Sequence, residues 1–488
     1  MPQRPAQGLN VALLLGAQLL GAGASFAALA FVARRLGPQE YGAFYLFVAA
    51  SLVLSQLLDL GLNRTVLPFI SAGSGLEGRT VYFQAALRLR ITSSAVASAL
   101  LLLVVAIWPT PQTRAYATAS VLSGVLGLQL LYASAFQAEY RFGRLGFVLQ
   151  LPGTLRLLAC LLVFAVLPEV SAVEAAFIGA ALLATCASML ISPRWALING
   201  VHIARPYYRT LLRVGGWVLA ATFIEAAYQR VDLIWVANSL SPNIQGLYSA
   251  ALTLLAPLFL LPTAVNLVIF APLVKAVEER DAPALHRLFK SSTLLLAGLG
   301  LPAVGFVVVN FPDVGKALLG PKYLPAWPLA IGLAPYVVLF LIHYNCGALF
   351  VALRRPSILF WTAVPILVTT IAGLTVLVPR FGAIGAAASM SLGALSSLIG
   401  SWAMVWRLAR ATPPAVDLLK IMAITCVAVG VPTALQMANP LAELSMRLAM
   451  TTLIYSICGV LILPAFPKEF GVDVYKYFDR LRALFARA

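Results

Sequence analysis

Charged residues are scarce in this chain, and their scarcity decides its class. Only 10% of the 488 residues are Asp, Glu, Lys or Arg, whereas a soluble domain carries about 25%. Hydrophobic residues make up 61% of the chain, and its mean hydropathy is +0.92. Several separate stretches exceed the roughly 20 apolar residues that cross a hydrocarbon core, and none alternates like the strands of a membrane barrel. We therefore predict an all-α polytopic membrane protein.

Sequence motifs for catalysis and metal binding are also missing. The chain has no G-x-x-x-x-G-K-[ST], H-E-x-x-H or G-x-S-x-G sequence, so nucleotide hydrolysis and the common zinc and serine chemistries have no recognisable site. The five cysteines lie in apolar stretches without metal-ligand spacing and are interpreted as small buried hydrophobes. His343, in an apolar span, is interpreted as a packing residue. We predict no catalytic residue, metal site or cofactor, and hence a transporter rather than an enzyme.

About fourteen apolar segments are long enough to be membrane helices. They lie near 8–33, 42–72, 84–108, 115–138, 146–167, 172–192, 214–238, 244–274, 288–311, 325–352, 357–379, 382–406, 415–436 and 443–464. The connections are short and rich in Pro and Gly, which leaves no room for a soluble domain between them.

Of the 34 basic residues, three lie within the predicted spans and the others are distributed unevenly between the two sides of the membrane. With the N-terminus inside, 24 fall on the cytoplasmic side and 7 on the outer side, as the positive-inside rule requires. Membrane topology thus accounts for the net charge of +17 without a nucleic-acid partner. Both termini are predicted to be cytoplasmic. The longest inner connection, about 193–213, mixes Arg with Trp and Tyr and is expected to lie against anionic membrane lipids.

The sequence repeats a pattern at an offset of about 205 residues. The residues Leu36, Pro38, Gly42 and Phe44 are echoed by Leu240, Pro242, Gly246 and Tyr248, and 178–181 (IGAA) by 384–387. The pattern predicts two parallel six-helix lobes, 1–200 and 201–412, around a central cavity, an arrangement typical of alternating-access transporters. Two further helices (413–464) and an amphipathic cytoplasmic tail (465–488) would follow.

Charged residues inside the predicted spans are the candidates for a transport site, because charge at membrane depth is costly and usually faces a cavity or a partner. The basic candidates are Arg64, Arg156 and Arg230, and the acidic candidates are Asp59, Glu225 and Asp232. In one interpretation the arginines face the cavity and bind a diphosphate headgroup, since guanidinium binds phosphate in a bidentate fashion. The carboxylates would then position them or couple to a cation. In the other, these residues form interhelical ion pairs.

Several stretches of the sequence resemble one transporter family. They are 35–42 (RLGPQEYG), 59–64 (DLGLNR), 230–232 (RVD), 246–251 (GLYSAA) and 318–323 (LLGPKY). Together they resemble the Wzx-type polysaccharide flippases of the multidrug/oligosaccharidyl-lipid/polysaccharide (MOP) exporter superfamily, over nearly the full length. This resemblance implies movement of an undecaprenyl-pyrophosphate-linked oligosaccharide, such as an O-antigen or exopolysaccharide repeat unit, across the bacterial cytoplasmic (inner) membrane from the cytoplasmic to the periplasmic leaflet. It also suggests a glycan polymerase or co-polymerase as partner.

Two other functions remain open from the residues. One is a cation-coupled exporter of small molecules or drugs, from the same superfamily. The other is a membrane component of a glycan assembly complex, although no outer loop is long enough for acid–base residues of a polymerising enzyme. Loss of a flippase would trap lipid-linked glycan in the inner leaflet, whereas loss of an exporter would change drug tolerance.

Overall fold

The computed structural model of the chain describes residues 4–71, 75–139, 141–166, 169–198, 203–353, 357–410, 412, 414–438, 451–452 and 454–455. All the longer elements in these ranges are α-helices. They are α1 (Arg4–Leu36), α2 (Pro38–Asp59), α3 (Leu62–Ser71), α4 (Leu76–Ile107), α5 (Pro111–Ala138), α6 (Phe142–Val166), α7 (Val170–Leu190), α8 (Arg205–Tyr228), α9 (Val231–Ser239), α10 (Pro242–Leu255), α11 (Leu261–Glu278), α12 (Ala282–Val309), α13 (Phe311–Leu318), α14 (Trp327–Ala352), α15 (Ser357–Ala409) and α16 (Ala415–Ala438).

The predicted fold class, an all-α polytopic membrane protein, is confirmed. Eleven helices in the described ranges are long and apolar enough to cross a membrane. The longest, α15, runs through a non-helical Gly382 and so joins two of the predicted spans. The total of fourteen spans stays a prediction. The proposed helix at 443–464 and the tail at 465–488 lie outside the described residues, apart from 451–452 and 454–455.

The predicted second span, 42–72, is broken in the middle. The helix α2 ends at Asp59, Leu60 and Gly61 adopt positive φ angles of 53° and 72°, and α3 begins at Leu62. A side chain on Gly61 would also meet the backbone oxygen of Gly215 at 2.2 Å. Glycine therefore allows both the left-handed turn and the close approach of α8. Asp59 and Arg64 consequently belong to different helices.

The predicted seventh span, 214–238, is broken as well. The helix α8 ends at Tyr228, where the amide of Arg230 donates to the oxygen of Ala227, and α9 begins at Val231. Arg230 thus lies in the turn between the two helices, while Asp232 lies in the first turn of α9. A carboxylate is favourable there because the backbone amides at a helix N-terminus carry partial positive charge.

The chain is divided into two compact units. The first consists of Met1–Pro257, Phe311–Tyr336 and Ser357–Ser397, and the second of Leu258–Asn310, Val337–Pro356 and Leu398–Ala488. In the second unit, α12, α14 and α16 enclose an apolar cluster around Leu294, and Lys290 pairs with Asp417 at 2.9 Å. The predicted lobes 1–200 and 201–412 follow a different criterion, the sequence repeat, and stay a prediction.

Within the first unit, the two copies of the repeated motif lie against each other. A Cβ atom on Gly42 would be 2.5 Å from the backbone oxygen of Pro242, and one on Gly246 would be 1.7 Å from that of Pro38. The side-chain amide of Gln245 donates to the oxygen of Gly42 at 2.7 Å. Helices α2 and α10 can approach this closely only because both positions lack a side chain.

Candidate functional site

A buried polar cluster surrounds the turn between α8 and α9. The carboxylate of Asp232 is 1% exposed and accepts a hydrogen bond of 2.6 Å from the hydroxyl of Tyr248. Its other oxygen, Oδ1, has no hydrogen-bond partner among the described residues. Two further buried tyrosines, Tyr228 and Tyr336, lie edge to face with ring centroids 6.2 Å apart. The cluster combines a carboxylate with three phenols inside an apolar bundle.

Arg230 lies at the edge of this cluster. Its side chain is half-buried and interacts electrostatically with both Asp232 and Tyr336. None of the ion pairs within the described ranges includes it. The structure therefore brings together two predicted site residues, Arg230 and Asp232, with the guanidinium on the more accessible side.

Arg156 has a different environment. Its guanidinium carbon lies 5.3 Å from the centre of the Phe177 ring, and Phe177 packs edge to face against Phe44 and Phe47. The Nε atom is buried without a hydrogen-bond partner among the described residues. An aromatic face compensates a cation only partly, by about 0.5–2 kcal/mol. Arg156 is therefore a cation at membrane depth with unused hydrogen-bonding capacity.

Asp59 is engaged in an interhelical ion pair with Arg90. The two side chains are 3.6 Å apart and almost fully buried, and Arg90 also donates to the backbone oxygens of Ser55 and Ser123. A Cβ atom on Gly127 would fall 1.5 Å from the guanidinium, so α5 leaves space for it. For Asp59 the structure thus shows the ion-pair arrangement rather than an open one.

The other two predicted site residues are less fully defined. The backbone of Arg64 belongs to α3, but its side chain lies outside the described residues. Glu225 is exposed on α8, one turn before the break, and its carboxylate has an interaction partner. No group of three or more His, Cys, Asp or Glu in the described ranges could hold a metal ion.

Two residues of these clusters, Arg90 and Tyr248, are not among the site residues predicted from the sequence. Arg90 lies near the start of an apolar segment, where the charge distribution alone accounts for a basic residue on the cytoplasmic side. Its burial depends on small residues in another helix. For Tyr248 the sequence does indicate a role, since it matches Phe44 in the repeat and a buried phenol needs a hydrogen-bond partner. That partner is Asp232.

Comparison with known proteins identifies the family. A family model described as "Polysaccharide biosynthesis protein" matches residues 8–271, more than half of the chain. The chain belongs to this family. Among curated proteins, it is 22% identical over 397 residues to a Shigella flexneri protein named "Putative O-antigen transporter", an alignment that covers 77% of this chain and 92% of the relative.

Solved structures show the same fold at low sequence identity. The lipid II flippase MurJ in an inward closed conformation gives a TM-score of 0.74 at 14% identity, covering 94% of this chain and 98% of the other. A multidrug resistance MATE family transporter in an inward-facing conformation gives 0.62 at 14% identity, covering 80% and 95%. A MOP superfamily transporter from Pyrococcus furiosus gives 0.57 at 14%, covering 83% and 96%.

These matches confirm the resemblance to polysaccharide flippases of the MOP superfamily. The curated relative and the solved structures are named as transporters and flippases, which agrees with the prediction of a membrane transporter. The chain is thus a multi-pass membrane protein of a polysaccharide biosynthesis family.

Proposed function

We propose that this protein moves an undecaprenyl-pyrophosphate-linked oligosaccharide from the cytoplasmic to the periplasmic leaflet of the bacterial inner membrane. One observation carries the proposal beyond the family assignment. Arg156 and Arg230 lie in membrane helices or at a break between them, outside every ion pair of the described ranges. Such cations are costly at membrane depth and commonly mark a substrate path.

The chemistry of guanidinium suits a diphosphate. It stays charged at all relevant pH values and presents several donors in a fixed plane, so it can bind two phosphate oxygens at once. The unpartnered Nε of Arg156 offers one such donor. Arg230 is two residues before Asp232 in the chain, and this carboxylate would help to orient it in the absence of a ligand. Arg64, from the break after α2, would complete the cationic set.

Alternating access requires helices that can move against one another. The breaks at Leu60–Gly61 and Gln229–Arg230 would serve as hinges. The contact between Gly42 and Gly246 would hold the N-terminal ends of α2 and α10 together on the predicted outer side. Two lobes, 1–200 and 201–412, would rock around a central cavity, with both termini cytoplasmic. Anionic lipids at 193–213 and a glycan polymerase or co-polymerase are the proposed partners.

Deletion of the gene in its native bacterium tests the function. We expect lipid-linked glycan to accumulate in the inner leaflet, and complementation with the wild-type gene to restore its export. Unchanged export together with a new drug sensitivity would contradict the proposal and favour a second function.

That second function is a cation-coupled exporter of small molecules. The buried carboxylate of Asp232, hydrogen-bonded on one oxygen only, is the observation that favours it, since such a group can take up a proton or a cation. The fold similarity to MATE transporters agrees with it. An Asp232→Asn variant that loses drug export but leaves glycan export intact would support this alternative.

A further inference from the structure

A group of basic side chains gathers where the C-terminal end of α1 meets the segment after α13. The group contains four exposed cations from distant parts of the chain. They are Arg34, Arg35, Lys316 and Lys322, referred to below as the basic rim. All four belong to the seven basic residues that the charge distribution places on the outer side, where the positive-inside rule predicts few cations.

The backbone beneath the basic rim is held firmly. The hydroxyl of Tyr323, which is 1% exposed, donates to the backbone oxygen of Ala33 at 2.8 Å. Arg34 Nη1 donates to the oxygen of Ala317, in the last turn of α13, at 2.6 Å. Cations are favourable at a helix C-terminus. These two bonds tie residues nearly 300 positions apart into one surface.

Two glycines bring the cations together. Gly37 and Gly320 have φ angles of 81° and 103°, which side-chain-bearing residues rarely adopt. A Cβ atom on Gly37 would lie 3.9 Å from Nζ of Lys322, and one on Gly320 would lie 4.0 Å from the Arg34 side chain. Each glycine therefore lies directly beneath a basic side chain contributed by the other segment.

The charges of the basic rim are only partly balanced by carboxylates of the same segments. None of its four residues takes part in an ion pair of the described ranges. Two carboxylates, Glu40 and Asp313, lie on the same segments, so cations exceed carboxylates by two. Arg35 lies over the ring of Phe31, 5.3 Å from its centre, at the end of an apolar helix. The excess charge thus lies at the end of an apolar helix, where lipid headgroups are expected.

We propose that the basic rim binds the diphosphate of the lipid-linked substrate when it arrives in the outer leaflet. This inference rests on the proposed function and assigns the site where the substrate leaves the protein on the outer side. A diphosphate carries more negative charge than the single phosphate of phosphatidylglycerol and fits the excess of two cations better. Its lipid chain would remain in the bilayer beside α1, whose Leu19 and Leu20 are exposed.

A cysteine reporter on the rim tests this binding locally. In a full-length chain whose five natural cysteines are replaced by serine, Ala317→Cys, an exposed position that leaves all four cations of the rim in place, is labelled with a membrane-impermeant maleimide. We expect labelling from the periplasmic side in cells. In vesicles, we expect undecaprenyl diphosphate to protect the cysteine at a much lower mole fraction than phosphatidylglycerol does.

Removing two neighbouring cations should weaken that protection selectively. Each basic residue near a membrane surface contributes about fivefold to anion binding, so Arg34→Gln with Lys322→Gln should raise the protecting mole fraction about thirtyfold. The matched control is Arg114→Gln, an exposed arginine also assigned to the outer side, which should leave it unchanged. Equal protection by both lipids, or no effect of the double variant, would overturn the proposal, as would labelling only from the cytoplasmic side.

The same experiment separates this inference from the proposed function. An Arg230→Ala variant should lose transport yet keep protection at the rim, because the two sites are distinct. Loss of protection in a protein that still exports lipid-linked glycan would refute the basic rim alone. Absence of glycan export in the wild-type protein would refute the proposed function, whatever the labelling shows.

Discussion

Gly42 and Gly246, 204 residues apart, pack each against the other's helix. Gly42 faces the oxygen of Pro242, and Gly246 faces the oxygen of Pro38. The contact is reciprocal because both residues occupy the same position of the repeated Pro-x-x-x-Gly pattern. The repeat is thus a structural device that lets α2 and α10 cross with their backbones in contact.

An alanine at this crossing should disturb the conformational cycle. Gly246→Ala places a methyl group 1.7 Å from the Pro38 oxygen, so the helices must separate, at a cost of about 1–3 kcal/mol. We expect slower glycan export and greater cysteine accessibility of residues near Gly42. Gly179→Ala is the control, since its added Cβ meets nothing within 4 Å. Equal export by the two variants would show that the close contact has no role in transport.

The ion pair between Asp59 and Arg90 should matter chiefly for stability. Arg90→Ala leaves a buried carboxylate without its cation, which typically costs about 3–5 kcal/mol. The melting temperature of the purified protein should fall markedly, and Asp59→Asn in the same chain should recover part of it. Arg141→Gln, which breaks the more exposed pair with Glu139, should cost about 1 kcal/mol or less. A similar fall in both variants would argue against the buried pair.

The hydrogen bond between Tyr248 and Asp232 offers a second stability test. Tyr248→Phe removes a hydrogen bond of 2.6 Å to a carboxylate that is 1% exposed. Hydrogen bonds to charged groups contribute about 1.5–3 kcal/mol, so thermal stability should decrease. Tyr116→Phe, which removes a bond to Asn238 in an exposed setting, is the control. No difference between the two would mean that Tyr248 does not support Asp232.

The contribution of the planar guanidinium of Arg156 can be distinguished from that of its positive charge. Arg156→Lys keeps a cation but loses the planar group that lies over Phe177. We expect Arg156→Ala to lower the rate of glycan export about tenfold or more, as expected for the loss of a charged hydrogen bond. Arg156→Lys should restore only part of it. Full activity of the lysine variant would show that bidentate binding at this position is unnecessary.

Much of the fold could be predicted from the sequence because apolar length and composition decide membrane helices. The repeat also predicted equivalent positions in α2 and α10. The helix break at Leu60 could not be predicted, since a leucine in left-handed conformation carries no local signal. Burial of Arg90 depends on Gly127 and Ser123 of another helix, and only tertiary packing reveals it. Arg230 and Asp232 are both recognisable in the sequence as charged residues within an apolar stretch, whereas the hydrogen bond from Tyr248 to Asp232 required the structure.

In the proposed function, arginines within the membrane helices bind the diphosphate of a lipid-linked glycan while it crosses the bilayer. The most direct measurement follows a fluorescent undecaprenyl-diphosphate-linked glycan in vesicles that contain the purified protein, with a membrane-impermeant quencher added outside. Wild-type protein should make the whole labelled pool accessible, and Arg156→Ala and Arg230→Ala should each slow this about ten- to a hundredfold, as expected for charged hydrogen bonds. Wild-type rates in both variants, with normal folding, would contradict the account.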